Sequence, residues 1–227
     1  MHGTVSHAEY PYNEKEVLMA LLLNVPYAEK EEAKALGARW NPDLKKWYVS
    51  DKDKYPAFCR WLQAPSADLI VVDHLYIVIG EHTCFKCHRK TPVVSLASDS
   101  YLWIDGDHSE YCEGEVNFIS DVDWLPSQLQ EHLNDNYQFF RGYSQTTKSY
   151  YYGNHCNNCG VLQGNWFLHS EPDSPFYIDG VDAARALMIY KIPLTHELAL
   201  NASVGWGSED HLIKQHARFA DCDFTID

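Results

Sequence analysis

Four of the seven cysteines form two pairs, each with two residues between its members, at 84–87 and 156–159. A CxxC segment turns the backbone so that both thiolates point at one centre. Two such segments supply the tetrahedral thiolate set that structural zinc takes, with Zn–S bonds of about 2.3 Å. The sequence therefore predicts one structural Zn²⁺ held by Cys84, Cys87, Cys156 and Cys159.

The distance between the two pairs is unusual for such a site. Between Cys87 and Cys156 lie 68 residues, whereas simple zinc sites separate their pairs by about 15–20. Two doublings of loop length add roughly 1.2 kcal/mol of closure cost, and a structural zinc contributes on the order of 10–16 kcal/mol. We therefore expect one site with a folded insertion. Two unrelated pairs, or a redox pair, are the alternatives, and neither segment has the thioredoxin-like context that a redox pair needs. Gly160, just after the second pair, fits a turn that requires positive φ.

Other residues offer weaker candidates for metal binding or catalysis. His88 and His155 adjoin the two pairs, and Cys112 lies between them, so each is a less favoured substitute ligand. Carboxylates can also hold hard cations for a hydrolase, and one stretch is rich in them. Its members are Asp105, Asp107, His108, Glu110, Glu113 and Glu115. The stretch lacks the spacing of a calcium-binding loop, which favours a solvated turn between strands.

The sequence contains no motif typical of a nucleophilic or nucleotide-dependent enzyme. Neither a Gly-x-Ser-x-Gly segment, nor a phosphate-binding loop, nor a dinucleotide fingerprint is present. We therefore expect a protein without catalytic activity.

The net charge of −14 is unevenly distributed. Residues 1–65 carry nine Lys and Arg against nine Asp and Glu, while residues 66–227 carry nine against 23. This change predicts an N-terminal extension at 1–20, a small module at 21–63 and a zinc-binding domain at 64–227. The acidic part would repel a phosphate backbone and attract a basic partner, although solubility alone also explains it.

The chain has no apolar run of 18 residues, so we expect no membrane span. Cysteines in metal-binding spacing, with the other three scattered, suit a reducing compartment. The expected location is the cytoplasm.

Residues 21–62 show the pattern of a compact βαββα unit. A short strand at 21–25 precedes a helix that starts with acidic residues and stops at Gly37. A hairpin around Asn41-Pro42-Asp43 follows, and a capping-box variant at Ser50 and Asp53 predicts a final helix.

This segment resembles a small domain of unknown function. The resemblance rests on 23-LNVPYAEK-30, 33-AKALGARWNP-42 and 46-KWYV-49. That domain recurs in proteins of plasmids and other mobile elements, including primase-like and conjugation proteins. More remotely, the segment is similar to the HARP-type module of annealing helicases, which handles DNA junctions. The resemblance implies an accessory binding module and no reaction. The residues expected at its interaction surface are Arg39, Trp40, Lys45, Lys46 and Trp47.

Strand-like sequence flanks both CxxC segments in residues 64–227. The stretch 75–79 leads into the first pair, and the expected strands at 92–96 and 101–104 follow it. A hairpin-like stretch at 137–152 leads into the second. This arrangement indicates a zinc-ribbon or treble-clef-like domain with a long insertion, so the fold class is α+β. The segment also resembles uncharacterised bacterial proteins with paired CxxC turns, for which no function is known to us.

These features predict a zinc-stabilised binding protein. A basic protein partner is the first expectation, as for an immunity or antitoxin-like protein, because the acidic segment is rich in aromatic residues, which anchor protein interfaces. The alternatives are a nucleic-acid-associated accessory protein of mobile elements, acting through the N-terminal module, and a metal-dependent hydrolase that uses the acidic stretch.

Overall fold

A computed structural model describes residues 20–226 of the chain. The N-terminal extension expected at 1–20 therefore lies outside the described residues, apart from its last position.

The first unit of the described chain is a small antiparallel sheet covered by helical segments. Its elements are β1 (Leu21–Leu23), a 3₁₀ turn (Tyr27–Glu29), α1 (Lys30–Leu36), β2 (Arg39–Asn41), β3 (Lys46–Val49) and a 3₁₀ segment (Lys52–Trp61). The strand order is β1-β3-β2. Helix α1 stops where Gly37 takes a φ of 112°, a conformation that suits a residue without a Cβ.

The last element of this unit differs from the α-helix expected after Ser50. It is a ten-residue 3₁₀ segment with Pro56 inside it, and its N-cap residue is Asp51, which makes no side-chain capping bond. Proline lacks an N–H and clashes with the carbonyl four residues earlier, so an α-helix cannot run through this position. The expected capping box at Ser50 and Asp53 is therefore wrong.

The rest of the described chain is built on a sheet of eight strands. The strands are β4 (Leu69–Val71), β5 (His74–Thr83), β6 (Lys90–Asp105), β7 (His108–Ser120), β10 (Met188–Pro193), β11 (Leu198–Leu200), β12 (Ser203–Gly205) and β13 (Arg218–Asp221). The order is β11-β4-β6-β5-β10-β13, and β7 joins β6 and β12 beside this path. A separate hairpin consists of β8 (Phe139–Ser144) and β9 (Ser149–Asn154), and the helices are α2 (Ser127–Tyr137), α3 (Asn165–His169), α4 (Val181–Ala186) and α5 (His211–His216).

Strand β6 is the longest strand of this sheet. It covers both ranges, 92–96 and 101–104, that were expected to form separate strands. It pairs with β5, β4 and β7, and its register shifts between Ser98 and Ser100. At this irregularity the step from Ser98 to Ser100 on β6 lies opposite the longer step from Asn117 to Glu113 on β7, and the alternation of side chains between the two faces changes phase. As a result Leu96 and Tyr101 share one core, while Ala97 and Leu102 belong to the cores of the opposite face.

Each face of the large sheet is covered by a different set of elements. Leu75 and Ile77 pack with Leu129 and Leu133 of α2 and with Tyr152 of the hairpin. The opposite face is covered at one end by α3, α4, α5 and the segment between them. At its other end it is covered by the N-terminal unit.

The N-terminal unit shares its core with the sheet. Tyr55, Phe58 and Trp61 pack in one cluster with Ile70 and Leu102. At the edge of this contact, Lys52 pairs with Asp73 at 2.5 Å and with Glu113 at 3.1 Å. The domain boundaries at 21–63 and 64–227 stay a prediction.

The α+β class is confirmed: the described chain combines a three-stranded sheet, a mixed sheet of eight strands and a two-stranded hairpin with short helices. No helix among residues 20–226 combines the length and apolarity that crossing a membrane requires.

Candidate metal centre

The two CxxC segments adopt the same backbone turn. In the first, which joins β5 to β6, the N–H of Cys84 donates to the carbonyl of Arg89 at 3.0 Å, and the N–H of His88 donates to the carbonyl of Cys84 at 2.9 Å. In the second, after β9, the corresponding bonds run from Cys156 to Val161 at 2.9 Å and from Gly160 to Cys156 at 2.8 Å.

The turn requires a left-handed residue just after the second cysteine. Gly160 has a φ of 69° there, which confirms the positive φ expected from the sequence. His88 occupies the same position of the first turn with a φ of 56°. A non-glycine residue in this conformation is uncommon, which explains why the sequence marks the second turn more clearly than the first.

The two turns bring all four sulfur atoms together. The Sγ atoms of Cys84 and Cys159 are 3.7 Å apart, as are those of Cys87 and Cys156. All four lie within 4.8 Å of one another. Tetrahedral coordination with Zn–S bonds of about 2.3 Å places thiolates about 3.8 Å apart. The donor set and its spacing therefore fit one tetrahedral metal ion.

The sulfur atoms are electrostatically unequal. Burial raises the pKa of Cys156, but the backbone N–H groups of Asn158 and Cys159 and the neighbouring thiols outweigh that effect and lower it to about 6. The N–H of Val161 lowers the pKa of Cys159, but burial and the other three thiols raise it to about 11. Burial raises the pKa of Cys84, but the backbone N–H groups of Cys87 and Lys86 outweigh that effect and lower it. Neighbouring thiolates repel one another, and a bound cation would offset that repulsion.

Hydrogen bonds from Asn154 and Asn157 hold the second turn against β6. The side chain of Asn154, at the end of β9, accepts from the N–H of Val94 at 2.7 Å and donates to the carbonyl of the same residue at 2.8 Å. The N–H of Asn157 donates to Oγ1 of Thr91 at 3.0 Å. The 68-residue insertion is therefore closed by hydrogen bonds next to the four cysteines.

Two further residues donate hydrogen bonds to the sulfur atoms. Nε2 of Gln163 lies 3.6 Å from Sγ of Cys84 and donates to the carbonyl of Val161 at 2.8 Å. The backbone N–H of Asn158 donates to Sγ of Cys156 at 3.4 Å. Such outer contacts orient metal ligands and stabilise their charge. The sequence analysis missed Gln163. The one signal that could have indicated it is its position four residues after the second CxxC segment.

The substitute ligands considered from the sequence do not join the cluster. His155 hydrogen-bonds the carbonyl of Gly153 at 3.0 Å and stacks on Phe140 with ring centroids 3.7 Å apart. Cys112 lies on β7 opposite Tyr101. His88 fills the turn position described above. None of these three residues is part of the sulfur cluster.

The acidic stretch covers the last residue of β6, the turn and the first half of β7. Asp105 and His108 are the pair that closes this hairpin. Within residues 20–226, no second group of three or more His, Cys, Asp or Glu side chains lies close enough to share an ion. The carboxylates are spread along an extended strand, and that of Glu113 is engaged by Lys52. The arrangement expected for a metal-dependent hydrolase is therefore not seen among the described residues.

The expected interaction surface of the N-terminal unit divides between the two faces of its sheet. Trp40 and Trp47 are cross-strand partners with ring centroids 5.6 Å apart. Trp47 is only 8% exposed and belongs to the core, whereas Trp40 is 47% exposed. Arg39 and Lys46 alternate with these two residues along β2 and β3, so their side chains leave the other face. Lys45 lies in the connecting turn.

Among the described residues, Arg39 and Lys45 have no acidic partner, whereas Lys34, Lys52, Lys54 and Arg60 do. The unit at 21–63 carries eight Lys and Arg against six Asp and Glu. It is therefore net positive, whereas the rest of the chain is net negative.

Fold and site together define an α+β protein with a candidate four-thiolate metal centre. In a comparison with known protein families, residues 21–63 match the family described as Domain of unknown function (DUF5710). This confirms the small domain expected from the sequence.

Two curated proteins of Escherichia coli, each named DNA primase TraC, are similar to the same region. One is 49% identical over 41 residues, which is 18% of this chain and 3% of the primase. The other is 49% identical over 39 residues, which is 17% of this chain and 4% of the primase. The chain thus matches only a few per cent of the length of these relatives, and no solved structure matches it. The likenesses to HARP-type modules, to zinc ribbons and to bacterial proteins with paired CxxC turns stay predictions.

Proposed function

We propose that this chain is a zinc-stabilised binding protein without catalytic activity, in which a small recruitment module is attached to an acidic body. The observation that carries the proposal is the group of four sulfur atoms within 4.8 Å of one another. Four thiolates select a thiophilic ion in tetrahedral geometry and leave no open position for a substrate, which is typical of structural zinc.

The first proposed partner of the body is a protein with a basic surface, as for an immunity or antitoxin-like protein. Residues 66–227 carry the whole net charge of −14, which steers a cationic partner towards the body and repels nucleic acid. Several large aromatic side chains of the body are also exposed, including Trp124, Trp166 and Trp206. Tryptophan is enriched among the residues that dominate binding energy.

The second proposed partner is nucleic acid, bound by the N-terminal module as part of a mobile-element accessory role. Its support is the 49% identity of this module to 41- and 39-residue segments of two proteins named as DNA primases, of which these segments make up 3% and 4%. Arg39 and Lys45, which lack acidic partners among residues 20–226, are the expected phosphate contacts, and the exposed ring of Trp40 is available for stacking.

One pair of variants separates these partners. We expect single-stranded DNA, followed by fluorescence anisotropy at 50 mM salt, to bind weakly if the module contacts phosphate, and Arg39→Ala/Lys45→Ala to abolish this binding. The matched control is Arg185→Ala/Lys191→Ala, which removes two exposed cations from the body. Loss of binding in both double variants would indicate a general charge effect and contradict the module's role.

The protein partner is tested by affinity capture from nuclease-treated native lysate at two salt concentrations. A single basic protein that is retained by the wild type and released at high salt is the expected result. Recovery of nucleic acid alone from untreated lysate would contradict the first proposed partner and leave the second.

A further inference from the structure

A second cavity, separate from the metal centre, lies between β7, β12 and the segment around α3. Its volume is 390 Å³, and the side chains that characterise it are Phe118, His169, Phe176, Tyr177, Trp206 and Asp210. None of these residues lines the larger cavity beside the cysteine cluster. Small-molecule sites commonly begin at about 300 Å³, so this cavity suits one small group or one side chain.

Aromatic rings form the inner wall and the mouth of the cavity. Three of them pack against one another at the back, with centroid distances of 5.4 Å for Phe118–Phe176, 5.0 Å for His169–Phe176 and 5.9 Å for Phe118–His169. Trp206 and Tyr177 lie at the mouth and are 57% and 41% exposed. Ring faces attract cations electrostatically.

The wall offers no positive charge that would repel a cation. No lysine or arginine lines the cavity. Burial lowers the pKa of His169 to about 4, so this ring is neutral near pH 7 and acts as another aromatic surface.

A buried carboxylate completes the cavity. Asp210 is only 4% exposed, and its Oδ2 accepts hydrogen bonds from the N–H of Gly207 at 2.7 Å and from Nδ2 of Asn117 at 3.1 Å. Its Oδ1 accepts no hydrogen bond from the described residues, and no lysine or arginine within residues 20–226 pairs with it. Burial raises the pKa of Asp210 and the charge of Glu115 adds to that effect, which the hydrogen bonds from Gly207 and Asn117 and the charge of His211 only partly offset. The ionised form of a buried carboxyl group is costly, and a bound cation would offset that cost.

We propose that this cavity binds a primary alkylammonium group. The ammonium nitrogen donates to Oδ1 of Asp210, and the alkyl chain lies against the rings of Tyr177 and Trp206. An ammonium with N–H donors is favoured over a quaternary one, because a free carboxylate oxygen gains a charge-assisted hydrogen bond only from a donor. The group is either a lysine side chain or a free amine. If the group is a lysine side chain, it belongs to the basic partner, and the inference then rests on the proposed function. If it is a free amine, the inference does not depend on the proposed function.

The binding is tested on the full-length, zinc-loaded protein by NMR titration with butylammonium chloride at constant ionic strength. Two reporters are available in the site: the amide of Gly207, which bonds Asp210, and the indole N–H of Trp206, which donates to the hydroxyl of Tyr101 at 3.0 Å. We expect saturable shifts with a Kd on the order of 1 mM, as suits a ligand of a few heavy atoms. Tetramethylammonium, which has no donor, should bind about tenfold more weakly.

Two variants localise the effect. Asp210→Asn should weaken butylammonium binding by about tenfold or more, whereas Asp182→Asn, which removes one fully exposed carboxylate, should leave it unchanged. A short acetylated peptide with one central lysine distinguishes the sources: binding of the peptide assigns the site to a protein lysine, and binding of butylammonium alone assigns it to a free amine.

The proposal is overturned if the wild type shows no saturable shift with butylammonium, or if tetramethylammonium binds equally well. The second comparison needs only wild-type protein, so it decides the matter even if Asp210→Asn does not fold. Neither result bears on the metal centre or on the N-terminal module, whose tests use other probes.

Discussion

The side chain of Asn154 binds the backbone of Val94 in both directions, accepting from its N–H at 2.7 Å and donating to its carbonyl at 2.8 Å. Val94 lies on β6 two residues before β7 joins that strand at Leu96. The side-chain amide of Asn154 thus satisfies the two backbone groups of Val94 that a neighbouring strand would otherwise bond. It also fixes the end of β9, and the second cysteine pair follows directly after that strand.

We expect Asn154→Ala to lower both stability and metal affinity. The variant leaves two buried backbone groups of Val94 without partners, at about 1–3 kcal/mol each. It also loosens the second turn, so zinc affinity should fall about tenfold to a hundredfold, as for other losses of support around metal ligands. Urea unfolding and competition with a chromophoric chelator measure the two effects.

Asn136→Ala is the matched control, because Asn136 makes an exposed bond within α2, to the carbonyl of His132. Equal zinc affinity in both variants would contradict the positioning role of Asn154.

The contact between the N-terminal unit and the large sheet should make the two unfold together. Lys52→Met leaves the carboxylate of Asp73, which is 13% exposed, without its cation. We expect a loss of about 2 kcal/mol, less than for a fully buried pair because Lys52 keeps some exposure. Tryptophan fluorescence and far-UV circular dichroism should report one coincident urea transition.

Lys54→Met provides the comparison for this prediction. Lys54 pairs with Asp51 on the surface, where both side chains are about half exposed, and such pairs contribute about 0–1 kcal/mol. An equal effect of the two substitutions, or two separate transitions in the wild type, would show that the unit is independent of the sheet.

A buried ion network around Asp99 predicts a pH-dependent contribution to stability. Burial raises the pKa of Asp99, but His74 at 2.8 Å and Lys214 outweigh that effect and hold the pKa well below its usual range. A depressed carboxyl pKa gives stability that is present above the unfolded value of about 3.9 and is lost as the pH falls towards the folded value.

Asp99→Asn should therefore cost about 3 kcal/mol at pH 7, and the difference from wild type should shrink as the pH drops below about 4. Urea unfolding at pH 7 and pH 3 measures this change, with Asp182→Asn as the control for net charge. A difference that grows in acid would contradict the assignment.

The sequence predicted which four cysteines come together, because the turn that brings each pair together is specified locally. Each CxxC segment specifies its own turn, and Gly160 marks the second turn with a residue suited to positive φ. The domain at 21–63 was also recognisable, since its motifs are short and specific.

The β-bulge and the supporting contacts were not predictable in the same way. The shift between Ser98 and Ser100 joins two expected strands into one, and no periodicity shows it, because each half alternates correctly on its own. Asn154 and Thr91 act across 60 and 66 residues of sequence, a relationship that exists only after folding. An asparagine at the end of a strand-like run, where its type is depleted, was the one available signal.

The cavity at Asp210 was likewise beyond the sequence. Its rings come from β7, from residues around α3 and from the segment after β12, and its carboxylate lies beside α5. Aromatic content alone indicated that such surfaces exist, but the folding of the sheet decides which rings meet.

The most direct test of the central claim is the metal content of the purified protein. Inductively coupled plasma mass spectrometry should give about one zinc per chain for the wild type and none above background for Cys84→Ala/Cys156→Ala, which removes the two buried ligands. The control Cys59→Ala/Cys222→Ala, which alters two cysteines outside the cluster, should keep one zinc. Full zinc retention by Cys84→Ala/Cys156→Ala, or a wild type that binds no metal when it is refolded with zinc, would contradict the account.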